Sequence, residues 1–255
     1  MKKHYMMFSI CLMFFAAVQA ISAFAQTSAD KQSAAKQEAA EEENYTEADR
    51  PSDSYLAKFH ANDIVDKLMK KNLDQLIMMR VISSNFDNGW SGDVDKCFEG
   101  YKKAMSYYYK RNMVYAGKEF ESNKTDIDAV LKKMAEYYQT ETKSMLDECI
   151  PLLLDAHMSA KTAPSADKNR QLGANQARLR VAYGRYDDGS LAIMSKQYET
   201  AVHHFRAAKS YAIVIFEDFA SPEEQESVKT KYQVHKADNL NRKFNNKSAS
   251  KSQAK

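Results

Sequence analysis

Between Gly189 and Ala208, small and aromatic residues recur at the spacings that two closely packed antiparallel helices require. A small residue lets the neighbouring helix approach, and an aromatic ring several positions later fills the space beside it. The residues that set this pattern are Gly189, Ala192, Tyr198, Ala201, Phe205 and Ala208. The pattern predicts a helical hairpin that turns near Gln197.

This pattern resembles the tetratricopeptide repeat (TPR), a unit of two antiparallel helices, and the resemblance covers residues 182–215. A more degenerate copy covers residues 97–130, where Met113 stands in the place of Tyr198 and Asn123 replaces the alanine of the second helix. The packing residues of this first copy are Ala104, Tyr107, Ala116 and Phe120. The alternative is that two amphipathic helix pairs share these spacings without being true repeats.

The resemblance implies a binding function and no chemistry of its own. In the family, the first helix of each repeat lines a groove that holds a segment of another protein. That surface would contain Phe98, Tyr101, Met105, Tyr108 and Tyr109 from the first copy, and Tyr183, Tyr186, Ile193 and Met194 from the second. Tyrosine and methionine are effective anchors for an apolar partner segment. The alternative is that these side chains pack against a neighbouring helix.

The first residues have the features of a bacterial secretory signal peptide. Lys2 and Lys3 precede an apolar run, and the small-residue site Ala23-Phe24-Ala25 stands just before polar sequence begins. We therefore expect cleavage after Ala25 and a periplasmic or secreted protein. The alternative is an uncleaved membrane anchor, since the run from Met6 to Ala25 is almost long enough to span a bilayer.

The composition favours an all-α fold. Only 7 Gly and 4 Pro occur in 255 residues, which leaves little turn chemistry for a sheet protein. We expect a signal peptide over residues 1–25, a disordered acidic linker over 26–53, a helical domain over 54–243 and a disordered basic tail over 244–255. The helical domain would consist of antiparallel hairpins, arranged as a short TPR-like solenoid or as an irregular helical bundle.

Apolar periodicity and capping signals predict the helices of this domain. A turn is expected at Asn85 to Gly92, and a break at Arg111-Asn112. The capping-box pattern that begins at Thr125 predicts a new helix, inside which Pro151 should cause a kink. The predicted helices run from Tyr55 to about Ser83, Asp93 to about Lys110, Met113 to Ser122, Thr125 to about His157, Asp167 to Ser195, Tyr198 to about Phe219, and Ser221 to about Arg242.

The charged residues do not suggest a reaction. Removal of Lys2 and Lys3 with the signal peptide would leave 35 basic and 34 acidic residues, and this balance argues against nucleic acid as the main partner. The stretch from Asp87 to Asp95 lacks two ligands of a calcium loop. His203 and His204 are adjacent, so they point about 100° apart on a helix and cannot grip one ion together. We expect no catalytic, cofactor-binding or metal-binding residues, and hence no enzyme.

Two cysteines remain after the predicted cleavage, Cys97 and Cys149. In an oxidising compartment an even pair favours a disulfide bond. However, both occupy apolar helix faces, where a free thiol packs as a small hydrophobic group. The sequence leaves the two interpretations open.

These observations lead to an expectation for function. We expect an exported TPR-like scaffold or adaptor in the bacterial cell envelope that holds another envelope protein or a peptide segment through an aromatic groove. The alternative is a structural antiparallel helical bundle, such as an adhesin or a surface or coat component, in which the repeat pattern is accidental. The sequence does not indicate the oligomeric state.

Overall fold

The computed structural model describes residues 54–162 and 165–244, and every regular element in these ranges is an α-helix. The predicted signal peptide, the predicted acidic linker and the tail from residue 245 onward lie outside the described residues. The described residues belong to a single compact unit. The helices are α1 (Tyr55–Asn85), α2 (Ser91–Tyr109), α3 (Met113–Thr162), α4 (Ala166–Met194), α5 (Tyr198–Phe219), α6 (Gln225–Lys231) and α7 (Gln233–Asn239). The all-α prediction is confirmed.

The unit consists of two three-helix bundles that share α3. Helices α1, α2 and the first part of α3 pack against each other, and the rest of α3 packs with α4 and α5. The short helices α6 and α7 lie against α5, and α7 also contacts α1. Neighbouring buried clusters follow α3 from Ala116 through Tyr138 to Leu153, so this helix is the common wall of the core.

The predicted break at Arg111-Asn112 is confirmed, because α2 ends at Tyr109 and α3 begins at Met113. The predicted break before Thr125 is wrong, since α3 continues for 50 residues. Thr125 does not cap a helix. Its hydroxyl donates to the carbonyl of Glu121, 3.2 Å away, as a residue inside a helix does.

The start and the end of the domain differ from the prediction in smaller ways. Helix α2 begins at Ser91, and Asp93 lies in its first turn, where it pairs with Lys133 at 2.9 Å instead of capping the helix. The predicted last helix is two short helices that meet at Tyr232. Glu224 accepts hydrogen bonds from the backbone N–H and the hydroxyl of Ser221, as in a capping box.

Candidate protein-binding site

The two helical hairpins, α2–α3 and α4–α5, turn in the same way. Arg111 and Lys196 occupy corresponding positions and both adopt a left-handed conformation, with φ of 60° and 58°. Each hairpin then forms the same pair of backbone hydrogen bonds, from Arg111 to Tyr108 (2.9 Å) and Asn112 to Tyr107 (3.0 Å), and from Lys196 to Ile193 (2.9 Å) and Gln197 to Ala192 (2.8 Å). This is the Schellman motif, which satisfies carbonyl groups at a helix end. The same local geometry thus occurs twice.

The two hairpins also share one aromatic contact across their helices. Tyr101 packs on Phe120 with ring centroids 5.5 Å apart, and Tyr186 packs on Phe205 with centroids 5.7 Å apart. The two interplanar angles are 58° and 53°. In the second hairpin, Phe205 lies directly on Gly189, where an added Cβ would come within 2.7 Å of the ring. The small residue is therefore needed for this close approach.

The residues predicted to pack the hairpins are almost all inside the protein. Tyr198 is only partly buried, and it packs against the central cluster. The other nine are buried: Ala104, Tyr107, Ala116, Phe120, Gly189, Ala192, Ala201, Phe205 and Ala208.

The nine residues predicted to line one aromatic groove do not share an open surface. Seven of them pack against buried clusters: Phe98, Tyr101, Met105, Tyr108, Tyr183, Tyr186 and Ile193. The reason is that a preceding helix covers each first-helix face. The Tyr108 hydroxyl donates to Asp66 of α1 (3.1 Å), and the Tyr183 hydroxyl donates to Asp147 of α3 (3.3 Å). Only Tyr109 and Met194, at corresponding positions beside the two turns, are open, with 76% and 79% exposure.

An apolar cleft lies instead between α3, α5 and α6. It has a volume of about 360 Å³. The rings of Phe216 and Tyr232 stack along it, with centroids 5.0 Å apart and an interplanar angle of 5°. Its other lining residues are Glu148, Pro151, Leu152, Phe219, Ala220, Glu224, Val228 and Lys231. We call this site the α3–α5–α6 cleft.

The polar groups at the α3–α5–α6 cleft are mainly acceptors. Glu148 pairs with Lys231 at 3.6 Å, and both side chains are largely exposed. Hydrogen bonds from Ser221 lower the pKa of Glu224, so this carboxylate stays ionised at neutral pH. Pro151 has no N–H, which deprives the carbonyl of Asp147 of its donor within the helix.

A second polar feature is a buried ionic cluster that ties α7 to the core. Both oxygens of the Asp238 carboxylate accept hydrogen bonds from Arg206, from Nη2 at 2.8 Å and from Nε at 3.1 Å. The Tyr138 hydroxyl also donates to Asp238. The ammonium group of Lys209 is 3.9 Å from the carboxylate and 4.0 Å from the centre of the Tyr138 ring.

Burial governs the pKa values of the groups in this ionic cluster. Desolvation lowers the pKa of Lys209 to about 8, although Asp238 opposes the shift. Desolvation, together with the nearby Lys209, lowers the pKa of His235 to about 4, so this imidazole is neutral at physiological pH. Because Lys209 and Asp238 are both fully buried, a substrate has no access to them. The cluster therefore holds α7 in place.

The structure answers the question about the cysteines. Cys97 and Cys149 are both free and buried, and they belong to different core clusters. Desolvation raises their pKa values to about 11 and about 12, respectively. Each thiol therefore stays protonated and packs as a small apolar group.

The described residues contain no group of three His, Cys, Asp or Glu side chains that could hold a metal ion. Within the same residues, no helix is long and apolar enough to cross a membrane. The segment that follows α1 serves as a connection, with Gly89 at φ 72°.

The sequence reasoning missed the walls of the α3–α5–α6 cleft and the ionic cluster. One signal was present for each. Pro151 stands inside the 50-residue helix α3, where proline leaves the carbonyl four residues earlier without its helical donor. Arg206 and Lys209 interrupt the otherwise apolar run of α5, and a charge in such a position needs a buried partner.

Comparison of the chain with protein-family models, curated proteins and solved structures gives no match. Any family assignment therefore rests on the residue patterns and on the hairpin geometry described above.

Proposed function

We propose that this chain is an exported, TPR-like scaffold that binds another protein of the bacterial cell envelope. The observation that carries the proposal is the hairpin that occurs twice with the same Schellman turn and the same ring contact. Repeated helical hairpins present extended helix faces to a partner, and binding through such faces needs no reactive group.

The distribution of polar and apolar groups supports a binding function. The ionic cluster is closed to solvent, whereas several large apolar side chains are open. On α3, Leu154 and Met158 are 59% and 55% exposed, and on α4 Leu191 and Met194 are 60% and 79% exposed. Leu154 and Met158 follow the cleft residue Pro151 on α3, and exposed apolar surface next to an open apolar cleft is typical of sites that contact another molecule. Leu191 and Met194 lie beside the α4–α5 turn, at the other end of α5.

A structural helical bundle is the second candidate, and the helix lengths favour it. Helix α3 has 50 residues and α1 has 31. These helices are long for a solenoid of short repeats, in which a turn must interrupt the chain within every repeat. In this case the chain would contact mainly further copies of itself.

Crosslinking in intact cells, followed by purification of the chain, distinguishes the two candidates. We expect a different envelope protein to be crosslinked in amounts comparable to the chain itself. Recovery of crosslinked multimers of this chain alone would support the structural bundle. The same sample, sequenced from its N-terminus, tests whether the protein is exported and processed.

A further inference from the structure

We propose that the α3–α5–α6 cleft receives an apolar side chain of a partner protein, and that basic residues flank this side chain in the partner. This inference rests on the proposed function and specifies where the scaffold binds and what it recognises. Three features of the cleft support it: its walls, its charges and the surface beside it.

The walls are suited to one large aliphatic or aromatic side chain. Leu152, Phe219 and Val228 are partly buried and form the accessible apolar wall, and the buried, stacked rings of Phe216 and Tyr232 complete the lining. A volume of about 360 Å³ lies at the small end of the range for ligand sites. The cleft is therefore large enough for an anchoring side chain and too small for a whole helix.

The charges at the cleft favour a basic partner. Glu148 and Glu224 line it against one basic residue, Lys231, which pairs with Glu148, so the lining keeps one unbalanced acidic charge, that of Glu224. Asp155 is exposed one helical turn after Pro151, on the same side of α3. Together these carboxylates offer acceptors to a lysine or arginine.

The apolar surface continues beyond the cleft along α3. Leu154 and Met158 follow Pro151 at helical spacings of three and seven residues, and both are more than half exposed. A partner segment anchored in the cleft could thus extend over these two side chains. Methionine adapts its shape to different partners, which suits such a surface.

Other occupants fit less well. The acidic groups would repel the headgroups of anionic lipids. A second copy of the chain is the remaining alternative, and the experiment below includes it.

The test measures binding of labelled peptides to the purified full-length mature chain by fluorescence anisotropy. The probe is a short peptide in which Phe and Leu lie between lysines. Two matched peptides replace the lysines with glutamates, or the Phe and Leu with serines. We expect the lysine peptide to bind at least about tenfold more tightly than either counterpart, and more weakly as salt is raised.

Two variants test whether the peptide occupies this cleft. The double variant Glu148→Lys/Asp155→Lys reverses its charge, and its control, Glu121→Lys/Glu136→Lys, changes exposed acids elsewhere on α3. Val228→Glu places a charge on the apolar wall, and Val181→Glu does the same at a position on α4 that is 44% exposed. We expect each cleft variant to weaken binding about tenfold and each control to have no effect, with thermal unfolding monitored for all four.

Three results would overturn the inference. The first is equal binding of the lysine and glutamate peptides. The second is unchanged binding by folded cleft variants. The third is tighter association of the chain with itself or with phosphatidylglycerol vesicles through the same residues. If the cleft variants still capture a partner in intact cells, the location is wrong although the scaffold function stands. If no partner is captured at all, the proposed function itself fails.

Discussion

Replacement of Asp238 by asparagine removes one charge from the ionic cluster and keeps the shape of the side chain. Both carboxylate oxygens accept hydrogen bonds, one from Arg206 and the other from Arg206 and Tyr138. An asparagine side chain has only one oxygen. Its NH2 group would take the place of the other carboxylate oxygen and would face the N–H or O–H groups that donate to that oxygen in the wild type. At the same time Arg206 and Lys209, which are 3% and 0% exposed, would lose their only buried anion among the described residues.

The size of the effect follows from this burial. Removal of one partner from a buried ion pair costs about 3 to 5 kcal/mol, because the remaining charge stays desolvated without compensation. A domain of this size loses roughly 2 to 4 °C in Tm for each kcal/mol. We therefore expect the Asp238→Asn variant to unfold about 6 to 20 °C below the wild type, as measured by far-UV circular dichroism.

The control is Asp155→Asn, which removes the same charge from an exposed position and should change stability by less than about 0.5 kcal/mol. Adding Lys209→Met to Asp238→Asn removes one of the two unpaired cations. The double variant should therefore be more stable than Asp238→Asn alone. If Asp238→Asn unfolds together with the control, the cluster is open to water and the reasoning is refuted.

Three further predictions concern the core, the pH dependence of stability and the N-terminus. Gly189→Ala should destabilise the protein by about 1 to 3 kcal/mol, because its Cβ would meet the Phe205 ring, whereas Gly184→Ala on the same helix has free space and should stabilise it slightly; urea unfolding compares the two. The pKa of Lys209 falls from 10.5 to about 8 on folding, so at this group the unfolded chain binds more protons, and stability should rise by about 1 kcal/mol between pH 8 and 9; above pH 9 the raised pKa values of Cys97 and Cys149 act in the opposite direction. Lys209→Met should abolish this rise, and an unchanged slope would contradict the burial argument. N-terminal sequencing of the exported protein should begin at Gln26, and a chain that retains the preceding residues and sediments with membranes would be anchored instead.

The hairpins were predictable because their signals are local. The break at Arg111-Asn112 and the turn before Tyr198 follow from where apolar periodicity stops, and both hairpins form there. The packing of Phe205 on Gly189 also follows from residue size at helical spacing. These features depend on residues that are close in sequence, so a single chain reveals them.

The continuity of α3 could not be predicted in this way. Ser122 to Asp126 has the composition of a helix start, yet tertiary packing keeps the backbone helical. Asn123 is 2% exposed, and its side chain lies so close to Gly100 of α2 that an added Cβ there would be 2.5 Å from its Oδ1. Phe120 and Ile127 flank this stretch of α3 and are fully buried, and the roughly 2 to 5 kcal/mol that such a buried side chain contributes exceeds a capping preference of about 1 kcal/mol.

The groove and the ionic cluster depend on contacts between distant residues. Tyr101 and Tyr186 were assigned to an open face because the pattern does not show which helix will cover them. Similarly, Arg206 and Asp238 are on different helices, and the polar sequence around Asp238 gives no sign that its side chain is buried. In both cases the outcome depends on which helices pack against each other, and the sequence alone does not show this.

The sharing of α3 by two bundles restricts how this protein can change length during evolution. Each residue added to a helix turns everything after it by about 100° and moves it along by about 1.5 Å. An insertion between Phe120 and Tyr138 would therefore rotate the apolar face that meets α4 and α5 away from them, even if each bundle formed by itself. Homologues should accordingly conserve the number of residues in this stretch even where the residues differ, and should place their insertions in the connections at Asn88 and Ser221.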